Sequence, residues 1–327
     1  MALRVGILGA GYIGGVHARN LRLDDRVHLV GIADIRPEPA QRLAAEIGTR
    51  PLPDLAALLQ EGAQAVYVTT PNAHHVDPVI TALGHGVHVF SEKPMATTLE
   101  GARQTAAAAA RSKARYQLGF NRRWAPAYAY VRELIALGEI RPATAHVKMN
   151  RGELQSPPWV STTSLTGGFL YESTIHLLDI CRFLLGDIDS LICRARSTSY
   201  EELDGFTAIL HSASGVLVTF HSCAHATWIF PFERMEIFGP HQAAVTEEME
   251  RVALSPGLGR EIVTRSYSQL PMEEKWGYRM EDRRFVDAVL EGQPPSVTAE
   301  DGLRATEMVE ACYRSARAGT EVRLPLG

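Results

Sequence analysis

The chain has 327 residues, enough for two ordinary domains. An apolar share of 46% and a charged share of 21% supply a packed core, which excludes a disordered chain or a small disulfide scaffold. With 33 basic against 37 acidic residues the net charge is −4, so no basic excess exists to neutralise a phosphate backbone, and no nucleic-acid partner is expected.

The first third alternates strand and helix. Leu3–Leu8 is a short apolar run ending in Gly9-Ala10-Gly11, Tyr12–Leu23 follows as a helix, and Val27–Ala33 is a second strand that stops at Asp34. Pro37 suits a first helical turn, and Asp54 is placed to cap a helix over Asp54–Glu61. The series continues with a strand over Ala65–Thr70, a helix over Ala73–Leu83 and a strand over Gly86–Phe90. An alanine-rich helix over Leu99–Lys113 and a strand over Tyr116–Phe120 close it. Strands that are apolar on both faces and alternate with helices indicate a doubly wound parallel α/β sheet covered on both sides.

The pattern then changes. Ala127–Leu137 reads as a helix ending at Gly138, and Ala143–Met149 puts Ala143, Ala145, Val147 and Met149 on one strand face. Phe169–Leu185 reads as one long helix. Phe206–His211 and Val216–Ser222 flank Ser212-Ala213-Ser214-Gly215, a hairpin signal, and Glu233–Phe238 alternates again before helices over Met280–Leu290 and Gly302–Ala318. Grouped strands with a few helices imply an α+β domain on a largely antiparallel, open-faced sheet, giving domains over residues 1–122 and 123–327. Leu217, Ala208 and Leu210 are read onto the open face. Such a patch is larger than a monomer normally exposes, so a homodimer or homotetramer through that face is expected.

The four cysteines (Cys181, Cys193, Cys223, Cys312) form no C-x-x-C pair, residues 1–15 do not read as a signal peptide, and no run of about 18 apolar residues occurs. A cytoplasmic setting without a membrane partner is expected.

Gly9-Ala10-Gly11-Tyr12-Ile13-Gly14 is G-x-G-x-x-G between a predicted strand and a predicted helix. Gly9 allows the tight turn, Gly11 lets backbone approach a pyrophosphate, and Gly14 lets helix and strand pack closely. Asp34 stands 20 positions after Gly14, at the end of the second strand, where a carboxylate accepts ribose hydroxyls. It would repel a 2′-phosphate, although Arg36 partly offsets that repulsion. NAD is therefore favoured over NADP.

Further polar residues cluster at strand ends. They are Thr69-Thr70-Pro71-Asn72-Ala73-His74-His75, Ser91-Glu92-Lys93-Pro94, and a helical segment that runs from Gly167-Gly168 through Glu172 and His176 to Asp179. Glu172 and His176 are spaced one helical turn apart, and Asp179 continues roughly that face. No further ligand cluster supports a metal there, and none is expected. Only four basic residues are Lys, and one of them is Lys93.

On these segments, on Gly119-Phe120-Asn121-Arg122-Arg123-Trp124, and on the closing Val297–Ala316 stretch, the chain resembles the Gfo/Idh/MocA oxidoreductase family almost end to end. The resemblance implies a Rossmann domain followed by the α+β domain, with Lys93 and His176 as catalytic pair and a cis peptide before Pro94. Glu172, the third residue of the catalytic set, stands where the family usually has Asp and would orient one of the pair or grip a second substrate hydroxyl; Val160 follows Trp159 where an Arg is common. The resemblance further implies NAD held among Gly9, Gly11, Tyr12, Ile13, Gly14, Asp34, Ile35, Arg36, Thr70, Pro71, Asn72, His75, Glu92, Lys93 and Asn121. A cyclic polyol or sugar would be contacted by Lys93, Arg123, Trp159, Glu172, His176 and Tyr278. Hydride transfer needs a base for the hydroxyl proton, and a histidine with its ordinary pKa near 6.5 suits that task. Two other readings remain at this level: an enzyme that retains NAD and uses transient oxidation for glycoside cleavage or elimination, and a non-catalytic dinucleotide-binding regulator.

Overall fold

A computed structural model describes residues 2–156, 158–228 and 231–327. In chain order the first segment forms β1 (Leu3–Leu8), α1 (Tyr12–Arg22), β2 (Val27–Ala33), α2 (Pro37–Ile47), β3 (Pro51–Leu52) and α3 (Leu55–Gln60). It continues with β4 (Ala65–Val68), α4 (Val76–Gly84), β5 (His88–Glu92), α5 (Leu99–Arg111) and β6 (Tyr116–Gly119). These six strands form one parallel sheet in the order β3-β2-β1-β4-β5-β6. The order reverses between β1 and β4, and ligands of such sheets bind outside the strand ends at that point.

The second segment contains α6 (Pro126–Ala136), β7 (Thr144–Asn150), α7 (Thr163–Thr166) and α8 (Ile175–Leu185). Strands β8 (Ile188–Arg196), β9 (Gly205–Ser212), β10 (Leu217–Cys223), β11 (Glu233–Gly239), β12 (Gln242–Glu247), β13 (Arg251–Ser255) and β14 (Val263–Ser266) follow. The chain ends through α9 (Met272–Lys275), α10 (Tyr278–Leu290), α11 (Ala299–Ala318) and β15 (Val322–Arg323). The nine strands β7–β15 make a second sheet, ordered β14-β13-β12-β11-β7-β10-β9-β8-β15, in which β7 and β10 run parallel and the other pairs antiparallel.

Two compact units result: Met1–Asn121 with Tyr278–Leu303, and Arg122–Gly277 with Arg304–Gly327. The first therefore extends past the single boundary near residue 122 read from sequence. Its extension has a packing cause, since Phe285 and Val286 on α10 join Val5, Ile7, Ile32, Tyr67 and Phe90 in one core.

Three local differences from the sequence reading stand out. The helix expected over Phe169–Leu185 begins as a π-helical stretch, Leu170–Thr174, with the Ile175 N–H bonded to the Leu170 carbonyl before α8 starts. On the second sheet, Ala208 and Leu210 are buried while Thr207, Ile209 and His211 point outward. Leu217 is exposed as expected and Phe238 joins it, but Ala208 and Leu210 belong to the covered face. The pleat alternates strictly, so an assignment one residue out of phase inverts the face. Finally, β7 begins at Thr144 with Ala145, Val147 and Met149 buried, leaving Ala143 exposed before it.

Candidate active site

The glycine turn is built as an anion cradle. Gly9 has a φ of 107°, and its N–H donates to the Ala33 carbonyl. A Cβ on Gly14 would stand 2.1 Å from the Gly9 carbonyl oxygen, which only glycine avoids. Gly11, the N-cap of α1, has no side-chain cap, and nothing lies within 4 Å of where its Cβ would stand. The orphan N–H groups of α1 thus open onto free space, the arrangement that accepts phosphate. Asp34 Oδ2 accepts the Ala10 N–H at 2.8 Å and Oδ1 the Arg36 N–H at 2.9 Å, which anchors the carboxylate beside the turn. A carboxylate has lone pairs left for ribose hydroxyls after two such bonds. Tyr12, which opens α1, is 70% exposed, Ile35, next to Asp34 in the chain, is 93% exposed, and Ile13 is half-buried. These residues fit a dinucleotide.

At the ends of β4 and β5 the polar residues divide by role. Thr70 Oγ1 donates to the His74 carbonyl, and Asn72 is buried in the short 3-10 turn after Pro71. His75 is fully buried, with Nδ1 2.7 Å from the Pro94 carbonyl oxygen and Nε2 2.7 Å from that of Thr70. Burial pushes its pKa down. His75 therefore braces two strand ends instead of reaching a cofactor. Glu92, expected to position cofactor, instead turns its carboxylate into the protein: Oε1 lies 3.2 Å from His17 Nε2, and Oε2 accepts the Lys93 N–H at 3.0 Å. Burial opposes that charge, but His17 and then Lys93 hold the Glu92 pKa below its ordinary value. Lys93 follows directly, half-buried, and the Lys93–Pro94 peptide is cis. Asn121 is buried two residues past β6.

In the second unit, His176 is buried in the first turn of α8. Glu172 lies in the π-helical stretch before it, so the wider turn alters the simple one-turn stacking read from sequence. Glu172 Oε2 accepts from Arg151 at 3.0 Å and from the Ser173 hydroxyl. Arg151 also bonds the Glu153 and Ser156 carbonyls, tying the loop after β7 to Glu172. Arg123, expected in the substrate wall, directs its guanidinium at Asp179: Nε to Oδ2 at 2.7 Å and a terminal nitrogen to Oδ1 at 2.5 Å. A buried guanidinium requires such a partner. Trp159 is half-buried in a short 3-10 turn. Tyr278, also read as a substrate contact, opens α10 in the first unit and is buried edge-on to His17, with centroids 5.9 Å apart.

Sequence reasoning missed Arg151, His17 and Asp282. Arg151 had a signal, a basic residue at a strand end before a long loop. His17, three positions after Gly14 in an apolar helix, looked like ordinary core.

Residues 3–120 match a family described as "Oxidoreductase family, NAD-binding Rossmann fold", and residues 132–324 match "Oxidoreductase family, C-terminal alpha/beta domain". Inositol 2-dehydrogenase of Rhizobium meliloti (strain 1021) is 28% identical over 328 residues, covering 96% of this chain and 97% of that protein. Among solved structures, GenD2 from gentamicin A biosynthesis, in complex with NAD, is 26% identical with a TM-score of 0.86, covering 99% and 97% of the two chains. Levoglucosan dehydrogenase, in complex with NADH and levoglucosan, has a TM-score of 0.91 over 100% of both chains at 20% identity, a likeness of fold alone.

Proposed function

The chain belongs to the Gfo/Idh/MocA oxidoreductase family, and from that premise we propose an NAD-dependent dehydrogenase acting on a hydroxyl of a cyclic polyol or sugar. The observation that carries this reading is the position of Lys93. It follows β5 at the carboxyl edge of the same parallel sheet whose β1 leads into the uncapped glycine turn. The inositol 2-dehydrogenase relative matches over nearly its full length, which supports a polyol-type substrate.

NAD, when bound, supplies the acceptor for the hydride. Asp34, with Ile35 and the α1 N–H groups, would hold its adenosine and phosphate portions. Asp34 favours it over NADP, because a 2′-phosphate would meet a carboxylate. Lys93 is assigned the substrate hydroxyl oxygen, where an ammonium stabilises the negative charge that develops as the proton leaves. His176 is assigned that proton as general base. Glu172, pinned by Arg151, is assigned a second substrate hydroxyl, and Trp159 an apolar wall. Arg123 holds α8 through Asp179.

The test is a screen of inositols, hexoses, pentoses and their acids with NAD and NADP, followed by variants. Lys93→Met and His176→Ala should each lower kcat by about 10²–10⁴-fold while the Kd for NAD stays within about threefold. Retained turnover in both variants removes the mechanism.

The exposed Ile209, Leu217 and Phe238 on the outer face of the second sheet support self-association through that face. The four free, buried cysteines suit a reducing cytoplasm. Among the described residues no helix is long and apolar enough to cross a membrane.

A further inference from the structure

We infer that His17 is a positioning residue for Lys93: its imidazole joins Glu92, whose carboxylate takes the Lys93 N–H, to Asp282 on α10. The inference rests on the reading of Lys93 as the group that holds the substrate oxygen. His17 Nε2 lies 3.2 Å from Glu92 Oε1 and Nδ1 lies 2.6 Å from Asp282 Oδ1. Asp282 Oδ2 is itself fixed by the Asn20 side-chain amide at 2.8 Å. With both carboxyl groups ionised, the two ring nitrogens that face them both donate, which makes the ring an imidazolium. The carboxylates, not the rings around it, are what favour a cation there. The ring is fully buried among Phe90, Tyr67 and Tyr278, with centroids at 4.9, 5.4 and 5.9 Å. Burial alone would strip the proton, but Asp282 and Glu92 outweigh it and raise the pKa well above its ordinary value.

Glu281 completes the cluster, with a ligand-type atom within 4.8 Å of those of His17 and Glu92. Both its carboxyl oxygens are buried without a hydrogen-bond partner among the described residues, and burial pushes its pKa well up.

The consequence reaches the reaction through geometry. His17 is carried by α1, the helix that begins at the glycine turn, so it ties the cofactor turn to the strand end that bears Lys93. Lys93 is gripped on both sides, its N–H by Glu92 and the next residue's carbonyl by His75. A drift of about 1 Å at such a group costs on the order of 10²-fold in rate.

The experiment uses the full-length protein with NAD and myo-inositol as probe substrate, or the best polyol from the screen. His17→Gln, whose amide can reach Glu92, should keep kcat within about threefold. His17→Asn, which can reach only Asp282, should lose about 30–100-fold in kcat with Tm and NAD Kd matching those of His17→Gln. A merely structural role would move Tm and NAD affinity together with kcat. In nitrogen-15 histidine spectra, the signals lost in both variants should show two protonated ring nitrogens at and above neutral pH. A neutral ring, equal kcat in the two variants, or a divalent metal bound stoichiometrically by His17, Glu92 and Glu281 would overturn the proposal. Full turnover in Lys93→Met would remove the reading of Lys93 and this role with it. An inactive Lys93→Met beside a fully active His17→Asn would remove this role alone.

Discussion

Asp179→Asn probes how α8 is held. Arg123 forms a two-point ion pair with Asp179 at 2.7 and 2.5 Å, and the side chains are only 7% and 1% exposed. Replacing the carboxylate with an amide leaves one acceptor, turns an amide N–H₂ toward a guanidinium, and takes the negative charge away from a buried cation. Breaking a buried pair from one side costs about 3–5 kcal/mol. At roughly 2–4 °C per kcal/mol for a unit of this size, Tm should fall by about 6–20 °C. The double variant Arg123→Met/Asp179→Leu removes both charges and keeps a flexible apolar chain near Phe183, whose ring lies 5.2 Å from the guanidinium. It should recover most of the loss, because apolar replacement of a buried pair is often neutral. Calorimetry of the wild type, Arg123→Met, Asp179→Leu and the double variant measures the coupling. His176 sits one turn before Asp179 on α8, so turnover of Asp179→Asn should fall even at temperatures where it remains folded. Single variants within about 1 kcal/mol of wild type, or a double variant that loses the sum of the two, would refute this account.

The two glycines of the cradle should separate cleanly. Gly14→Ala, whose Cβ would meet the Gly9 oxygen at 2.1 Å, should destabilise by about 1–3 kcal/mol or more in thermal unfolding and bind NAD poorly. Gly11→Ala faces open space and should keep its Tm, yet weaken NAD at least about tenfold in a fluorescence titration, since its Cβ would enter the phosphate approach. An unchanged NAD affinity in Gly11→Ala would place the dinucleotide elsewhere. For self-association, Ile209→Asp/Phe238→Asp on the exposed sheet face should shift sedimentation toward the monomer while the resulting monomer stays folded by circular dichroism. A wild-type protein that is monomeric at micromolar concentration would end that proposal.

The parallel sheet was legible because its strands are apolar on both faces, and the dinucleotide turn because glycine spacing and Asp34 are both local. What stayed hidden required a partner far along the chain. The amphipathic pattern of Met280–Leu290 says that one face leaves water, not that Phe285 and Val286 fill the core under β1 and β4. Arg123 and Glu92 show the same limit in polar form. Each is a charged residue beside a strand end, which in sequence looks ligand-facing. Each has an opposite charge waiting in its own unit, Asp179 for one and His17 for the other. A buried charge takes the nearest fixed partner, because leaving it unpaired costs several kcal/mol. Whether such a residue serves substrate or scaffold is therefore decided by pairings across 56 and 75 residues, which no local motif records. The scaffold residues are no less tied to the chemistry for that. A strand end that must present Lys93 in one place needs its neighbours fixed, and the charges that read as contacts to ligand supply the fixing.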